Sequence, residues 1–271
     1  MSNIDKYAVL GNPIEHSMSP LLHEFFASET NQALSYDRIL VENGAFEETV
    51  RAFFSNGGRG CNVTVPCKVD AFELADNLSD YATAAGAVNT LKLMDDGSIF
   101  GDNTDGRGLV YDLKRLSCPL DDARILIIGA GGAAKGILLP IINESPKEIV
   151  ITNRTVSKAM ALASMYPTKV KGCGFYDLEG NFDLIINASS SSLSGELPPV
   201  SDEIVAKATA VYDLMYSKTA ETPFTEKARA LNVKNVNDGF GMLIGQAILS
   251  FELWRGVKPD FNDAIRKFRP C

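Results

Sequence analysis

The stretch ARILIIGAGGAAKGILLP, residues 123–140, constrains the fold more than any other part of the chain. Ile125 to Ile128 are four apolar residues in a row that lead straight into glycines, and a helical apolar pattern follows. Gly129, Gly131 and Ala134 form G-x-G-x-x-A in the context a dinucleotide fingerprint requires, after a strand and opening a helix. Glycines there permit a tight turn and let the backbone approach a pyrophosphate, whose charge the helix N-terminus stabilises. Gly129, Ala130, Gly131, Gly132 and Ala133 are therefore the candidate cradle, although the same turn can simply join a strand to a helix. Further runs at 148–152 (EIVIT), 183–187 (DLIIN) and 209–213 (TAVYD) are nearly continuous in apolar residues, as strands of a parallel sheet covered on both faces should be.

The second strand ends in TNRT, where NAD-binding folds usually place an acidic residue on the ribose hydroxyls. Here the position holds Asn153, followed by Arg154 and Thr155, with Lys158 a turn further on. A guanidinium forks onto phosphate, and a missing carboxylate removes repulsion from a 2′-phosphate. The pattern favours NADP over NAD. Taken alone, Arg154 is also an ordinary solvent-facing charge at a strand end.

The first hundred residues alternate short apolar runs with helical patterns, which predicts α/β architecture. Strands are expected near 6–11, 35–41, 60–65 and 87–94, and helices near 19–30, 45–56 and 67–77. Gly57-Gly58 provides a helix stop, and LKLMDDGSIFGDN predicts a hairpin turning at Asp96-Gly97. Chemistry first surfaces in NVTVPCK, residues 62–68. Pro66 should end the strand and sit in the first turn of the next helix, together with Lys68. A cation there opposes the helix dipole at a cost of about 0.3–1 kcal/mol. A solvated surface lysine is the ordinary alternative.

Composition narrows the partners. Lys and Arg number 26 against 34 Asp and Glu, a net charge of −8, and no basic run offers a nucleic-acid footprint. The start MSNIDKYAVLGNP lacks the basic and apolar regions of a signal peptide, and no apolar run is long enough for a membrane span. Five cysteines without CxxC spacing and only two histidines suggest neither a disulfide framework nor a metal site. The expectation is a reduced, cytoplasmic protein acting on a small molecule, as a monomer or homodimer, with no nucleic-acid or membrane partner.

GNPIEHSMSPLLH, NVTVPCK, GAVNT, GDNTDGRGL, GAGGAAKG, NRT, YDLMYSK, TPF and DGFGMLIGQA follow one another across nearly the whole chain. In this order they closely resemble the bacterial shikimate dehydrogenases of the biosynthetic type. The resemblance implies an N-terminal α/β substrate domain with a mixed sheet, residues 1–105, completed by helices in 237–271. It implies an NADP-binding Rossmann domain with a doubly wound parallel sheet at 106–236. The implied reaction is the reversible, NADP-dependent reduction of 3-dehydroshikimate to shikimate in aromatic amino-acid biosynthesis.

Reducing a ketone by hydride also requires a proton donor at the oxygen. The resemblance assigns this to Lys68 paired with Asp105. Burial and the helix dipole would lower the lysine's pKa and Asp105 would raise it, a balance the sequence leaves open. Asp105 also suits the N-cap of a helix beginning near Gly106. Ser17 and Ser19, two apart on an extended segment, present two hydroxyls on one side for a carboxylate, while Ser19 before Pro20 equally reads as an N-cap. Asn62, Thr64, Asn89, Tyr216 and Gln246 complete the implied substrate set, and Leu214 and Gly239 join the cofactor set. Gly239 and Gly241 are expected to let the backbone approach the nicotinamide. Gln246 also stands out independently, because GFGMLIGQAILSF holds only one other polar side chain, Ser250, and a buried amide needs a partner. His16, beside HSMSP, reads as structural.

Three positions depart from the commonest family pattern. Cys67 precedes the lysine where Phe, His or Leu is frequent, Lys158 replaces a frequent arginine, and Ser192 stands at a usual glycine. The rival readings are an NAD-linked quinate/shikimate dehydrogenase and a non-catalytic NADP-sensing module. The first is opposed by Asn153, and the second by retention of both Lys68 and Asp105.

Overall fold

The computed structural model describes residues 4–189, 191 and 195–269. Ser192 lies outside these residues. The chain divides into two units: residues up to Gly108 together with those from Ile244 onward, and Leu109–Leu243. Both divisions fall inside helices, Asp105–Arg115 and Phe240–Arg255, a few residues beyond the 105 and 236 bounds drawn from sequence.

The first unit is built on a mixed sheet. Its strands are β1 (Asp5–Gly11), β2 (Leu34–Leu40), β3 (Gly58–Val63), β4 (Asn77–Leu78), β5 (Thr90–Leu93) and β6 (Ile99–Asp102), in the spatial order β2-β1-β3-β5-β6-β4. β1 runs parallel to β2 and β3, whereas β5 is antiparallel to β3 and β6. Gly97, with φ +86°, turns the expected β5–β6 hairpin. Ala8, Leu10, Val50, Cys61, Val63, Ala71, Val88 and Leu91 form one core of this unit, and Cys67 packs with them. Its departure from the family pattern is thus a core substitution.

Local details differ from the sequence expectation. The helix after β3 begins at Lys68 with Cys67 as its N-cap, so Pro66 lies just outside it. Met18 is the N-cap of Ser19–Glu29, which makes Ser19 the first helical residue and places Pro20 second. The strand expected from residue 87 begins at Thr90, because residues 87–89 are occupied in bonds at the sheet's end.

The second unit carries β7 (Arg124–Ile128), β8 (Glu148–Thr152), β9 (Val170–Cys173), β10 (Leu184–Asn187), β11 (Ala210–Asp213) and β12 (Asn235–Asn237). They pair in parallel in the order β12-β11-β10-β7-β8-β9. This is the doubly wound Rossmann order, in which the sequence of strand addition reverses between β7 and β10. Two apolar clusters cover the sheet, one around Ile125, Ile127, Ile137 and Ile186 and the other around Leu126, Ile128, Ile185 and Val211. β9 and β12 escaped the sequence reading because VKGC and NVN are short and only weakly apolar. Gly172 in β9 nevertheless has a packing reason: a Cβ there would meet the Ala159 backbone at 2.5 Å.

Among the described residues no helix is long and apolar enough to cross a membrane, and no group of three or more His, Cys, Asp or Glu could hold a metal ion.

Candidate functional site

Strand direction gathers the polar residues of the first unit. Because β3 runs parallel to β1, their C-terminal ends lie side by side, tied by Thr64 N–H to the Leu10 carbonyl at 2.9 Å and Asn12 N–H to the Val65 carbonyl at 3.0 Å. The reversed β5 brings its N-terminal end there, with Thr90 opposite Asn62, and β6 brings Asp102 opposite Thr90. Segments carrying Ser17, Thr64, Lys68, Asn89 and Asp105 therefore leave the sheet at one end.

There the Lys68 Nζ donates to Asp105 Oδ2 at 2.6 Å, both side chains being partly exposed. The Asn89 amide donates to Asp105 Oδ1 at 2.9 Å, so each carboxylate oxygen has its own donor. Asp105 is the first residue of its helix. Lys68 likewise starts a helix, and the adjacent carboxylate offsets the unfavourable dipole. Burial, aided by Asp70, pushes the Cys67 thiol above its ordinary range, so no thiolate competes beside Lys68. The turn before Asp105 is pinned by Asp102, which accepts from Ser79 Oγ at 2.5 Å and the Asn103 N–H at 2.8 Å and pairs with Arg107.

The other predicted substrate residues divide by their partners. The Thr64 hydroxyl has no protein partner among the described residues. Ser17 Oγ accepts from the Ser19 N–H at 3.3 Å, while Arg38 holds the Ser17 carbonyl at 2.6 Å. Asn62 is occupied: its amide group approaches the Asn89 carbonyl, Thr90 Oγ1 and Ser250 Oγ at 3.0–3.2 Å, and its Oδ1 accepts from Tyr36 at 2.7 Å. Its side chain thus secures the site from within the protein. Gln246 Oε1 lies 3.4 Å from the Asn89 amide. It is brought there by two glycines that sequence reading passed over: a Cβ on Gly108 would meet the Gln246 nitrogen at 2.4 Å, and one on Gly245 the Gly108 oxygen at 2.6 Å. A glycine on each of two facing helices was the available signal. Thr90 and Thr104, also passed over, bond Asn89 Oδ1. His16 is exposed.

In the second unit a cavity of about 540 Å³ opens at the ends of β7 and β8. Ile128 to Ala133, Asn153, Arg154, Thr155 and Lys158 line it, so nine predicted cofactor residues share one cavity. Gly129 has φ +109° and its N–H donates to the Thr152 carbonyl at 2.7 Å, a turn that favours glycine. Beside it, a Cβ on Gly131 or Gly132 would meet nothing within 4 Å, which leaves room for a pyrophosphate against the helix N-terminus. Arg154 and Lys158 are exposed and have no ion-pair partner among the described residues. Thr155 is the N-cap of Val156–Ala163 without using its side chain. Cations, a hydroxyl and open amide space fit a phosphorylated dinucleotide. Phe175, in the short 3-10 helix Phe175–Asp177, and Ser189, Ser191 and Pro198, in the segment after β10, also line the cavity.

Leu214 and Gly239 do not line that cavity. Gly239 is required by the protein itself, since a Cβ would come within 2.0 Å of the Leu214 carbonyl oxygen. At Gly241 a Cβ would strike the Asp112 carboxylate. A Cβ at either glycine would thus meet a neighbouring protein group. Tyr216 also belongs to the second unit and sets its ring edge against Phe240, with centroids 5.9 Å apart.

Three family models match in sequence order: a shikimate dehydrogenase substrate binding domain over residues 9–91, shikimate / quinate 5-dehydrogenase over 113–210, and a shikimate 5'-dehydrogenase C-terminal domain over 239–266. A Vibrio atlanticus protein named shikimate dehydrogenase (NADP(+)) is 49% identical over 268 residues, covering 98% of this chain and 97% of its own. The crystal structure of an Ael1 enzyme from Pseudomonas putida aligns with a TM-score of 0.93 at 42% identity, over 97% of this chain and 98% of that one. Shikimate 5-dehydrogenase from Thermus thermophilus, in complex with NADP(H) and shikimate, aligns with a TM-score of 0.86 at 30% identity, over 97% and 99% of the two chains.

Proposed function

Since the chain belongs to the shikimate dehydrogenase family, and so is an NADP-dependent oxidoreductase interconverting 3-dehydroshikimate and shikimate, we propose that Lys68 and Asp105 form its proton-transfer pair. The observation that carries this reading is the 2.6 Å contact between an ammonium and a carboxylate 37 residues apart, on a sheet end rich in uncharged polar groups. NADPH supplies the hydride when bound. Lys68 holds a proton for the developing alkoxide, and in the reverse direction the pair takes the proton from the hydroxyl. Asp105, held by Asn89 as well, keeps the ammonium in place.

Ser17, Ser19 and Thr64 provide hydroxyls for a hydroxylated carboxylate, with Asn89 and Gln246 beside them. Asn62 acts by bracing Asn89, and Tyr216 is assigned to the substrate on resemblance alone. The first unit then serves as the substrate domain and the second as the NADP domain. Gly129 to Ala133 receive the pyrophosphate, Asn153 leaves the ribose pocket uncharged, and Arg154, Thr155 and Lys158 take the 2′-phosphate. Leu214 and Gly239 shape the turn after β11. Among the described residues Cys61, Cys67, Cys118 and Cys173 are free thiols, which supports a reducing, cytoplasmic setting. The working state is a monomer or homodimer, which sedimentation equilibrium distinguishes.

The test is a rate assay crossing shikimate and quinate with NADP⁺ and NAD⁺, on the wild type and Asp105→Asn. Fast NADP⁺-linked oxidation of shikimate that Asp105→Asn abolishes supports the reading. Dinucleotide binding without turnover identifies a sensor, and preference for quinate with NAD⁺ identifies the rival dehydrogenase.

A further inference from the structure

Behind Asp105 lies a set of buried polar side chains whose hydrogen bonds run in a single direction. Two backbone groups fix that direction. The Thr104 N–H lies 2.9 Å from Asn89 Oδ1 and can only donate, so this atom is the amide oxygen and the Asn89 NH2 faces Asp105. The Asn89 carbonyl lies 3.2 Å from Asn62 Nδ2 and can only accept, so the Asn62 NH2 faces inward and its Oδ1 faces Tyr36. Tyr36 must then donate, at 2.7 Å. Between the two amides stands Thr90 Oγ1, 3.1 Å from the Asn62 NH2 and 2.8 Å from Asn89 Oδ1. It accepts from the first and donates to the second. Ser250 joins from the side: its Oγ accepts from the Asn62 NH2 at 3.0 Å, and with the Thr90 proton on Asn89 its own proton goes to Thr90 Oγ1 at 2.7 Å.

We propose that Tyr36 is a positioning residue of the reaction, heading a relay Tyr36–Asn62–Thr90–Asn89 that presses the Asn89 amide onto Asp105 and so sets the carboxylate that Lys68 pairs with. The inference rests on the Lys68–Asp105 reading above and extends it to the buried residues behind that pair. Tyr36, Asn62, Asn89 and Thr90 are all buried, so water does not replace a lost link cheaply, and hydrogen bonds in such a chain polarise one another. Burial pushes the Tyr36 hydroxyl well above its ordinary range, which keeps it a donor. The ring is held by His23, stacked on it at 4.3 Å and within 4° of parallel. Burial lowers the His23 imidazole to about 3, so the stacked partner brings no charge near neutral pH.

The test uses Tyr36→Phe and Thr90→Val in the full chain, with two readouts. The first is the side-chain amide resonances of Asn89 by NMR without any ligand; the second is kcat and KM for shikimate at saturating NADP⁺. Both variants are expected to shift the Asn89 amide resonances and to lower kcat about three- to tenfold, the worth of one hydrogen bond. KM for shikimate should change less than kcat, because Asn89 is one of several groups assigned to the substrate whereas Asp105 acts in the proton transfer. Melting curves correct kcat for the folded fraction. The inference is overturned if, in the folded Tyr36→Phe protein, either the amide resonances stay in place or kcat holds, or if KM alone changes. Lys68→Ala separates the two claims: near-normal turnover there removes the proton-transfer reading, whereas the ligand-free Asn89 resonances still report whether the relay exists.

Discussion

The two units place their polar side chains in opposite situations. Around Lys68 in the first unit, Asp105, Asn89 and Asn62 are bonded to other protein groups before any substrate arrives. Around the cavity of the second, the Arg154 and Lys158 side chains have no protein partner among the described residues. The difference suits the roles proposed for each. Proton transfer gains from geometry fixed in advance, since reorganisation during reaction would add to the barrier. Phosphate recognition gains from cations that stay hydrated and unpaired until the anion arrives, at the expense of sensitivity to salt.

Lys68→Ala should produce the largest effect, a fall in kcat of about 10²–10⁴-fold. NADPH affinity, read by fluorescence titration, should be unchanged; loss of both would show that the first unit does not confine its work to the substrate. Arg154→Ala tests the other side of the contrast. Losing a charge-assisted hydrogen bond should weaken NADPH about 10–150-fold, and raised salt should weaken the wild type in the same sense. NADH binding should scarcely change. Equal losses for both dinucleotides would remove the 2′-phosphate assignment.

Gly129→Ala should cost about 1–3 kcal/mol of stability in thermal melts, because φ +109° suits glycine and a Cβ would lie 3.0 Å from the Ala188 backbone. Gly131→Ala, with open space around its Cβ, should leave stability nearly unaltered and impair NADPH binding instead.

The mildest effect appears only in acid. His23 titrates at 6.5 when unfolded and at about 3 when buried. Its contribution is intact above pH 6.5 and declines as pH falls toward 3, reaching about 2 kcal/mol of lost stability at pH 5. Asp112 in the second unit has the opposite sign: burial raises its carboxyl, so protonation as pH falls favours the folded state. Trp254, the single tryptophan and part of the first unit, should therefore report acid unfolding that His23→Phe moves to lower pH. Identical acid midpoints for the two proteins would break this part of the contrast.

Legibility in the sequence followed the range of the interaction. The turn at Gly129, the apolar runs of β7, β8, β10 and β11 and the β5–β6 hairpin depend on neighbours within a few residues, and these were readable. Asp105 and Lys68 were singled out by resemblance, while their pairing is a matter of sheet direction: β5 must reverse to bring Asn89 and the Asp105 segment beside Lys68. The protein contacts of Asn62, Gly239 and Gly241 were out of reach for the same reason. Each was read as facing a ligand, and each also meets a protein group.

The sequence by itself determined that this chain alternates strands and helices, that one half carries a dinucleotide turn without the usual acid, and that its motifs are those of shikimate dehydrogenases. These are properties of composition, order and short spacing. Only the tertiary structure decided which polar groups satisfy one another and which stay open. A contact such as Asn62 to Ser250 spans 188 positions and exists only when strand register and helix crossing place both atoms within hydrogen-bond reach.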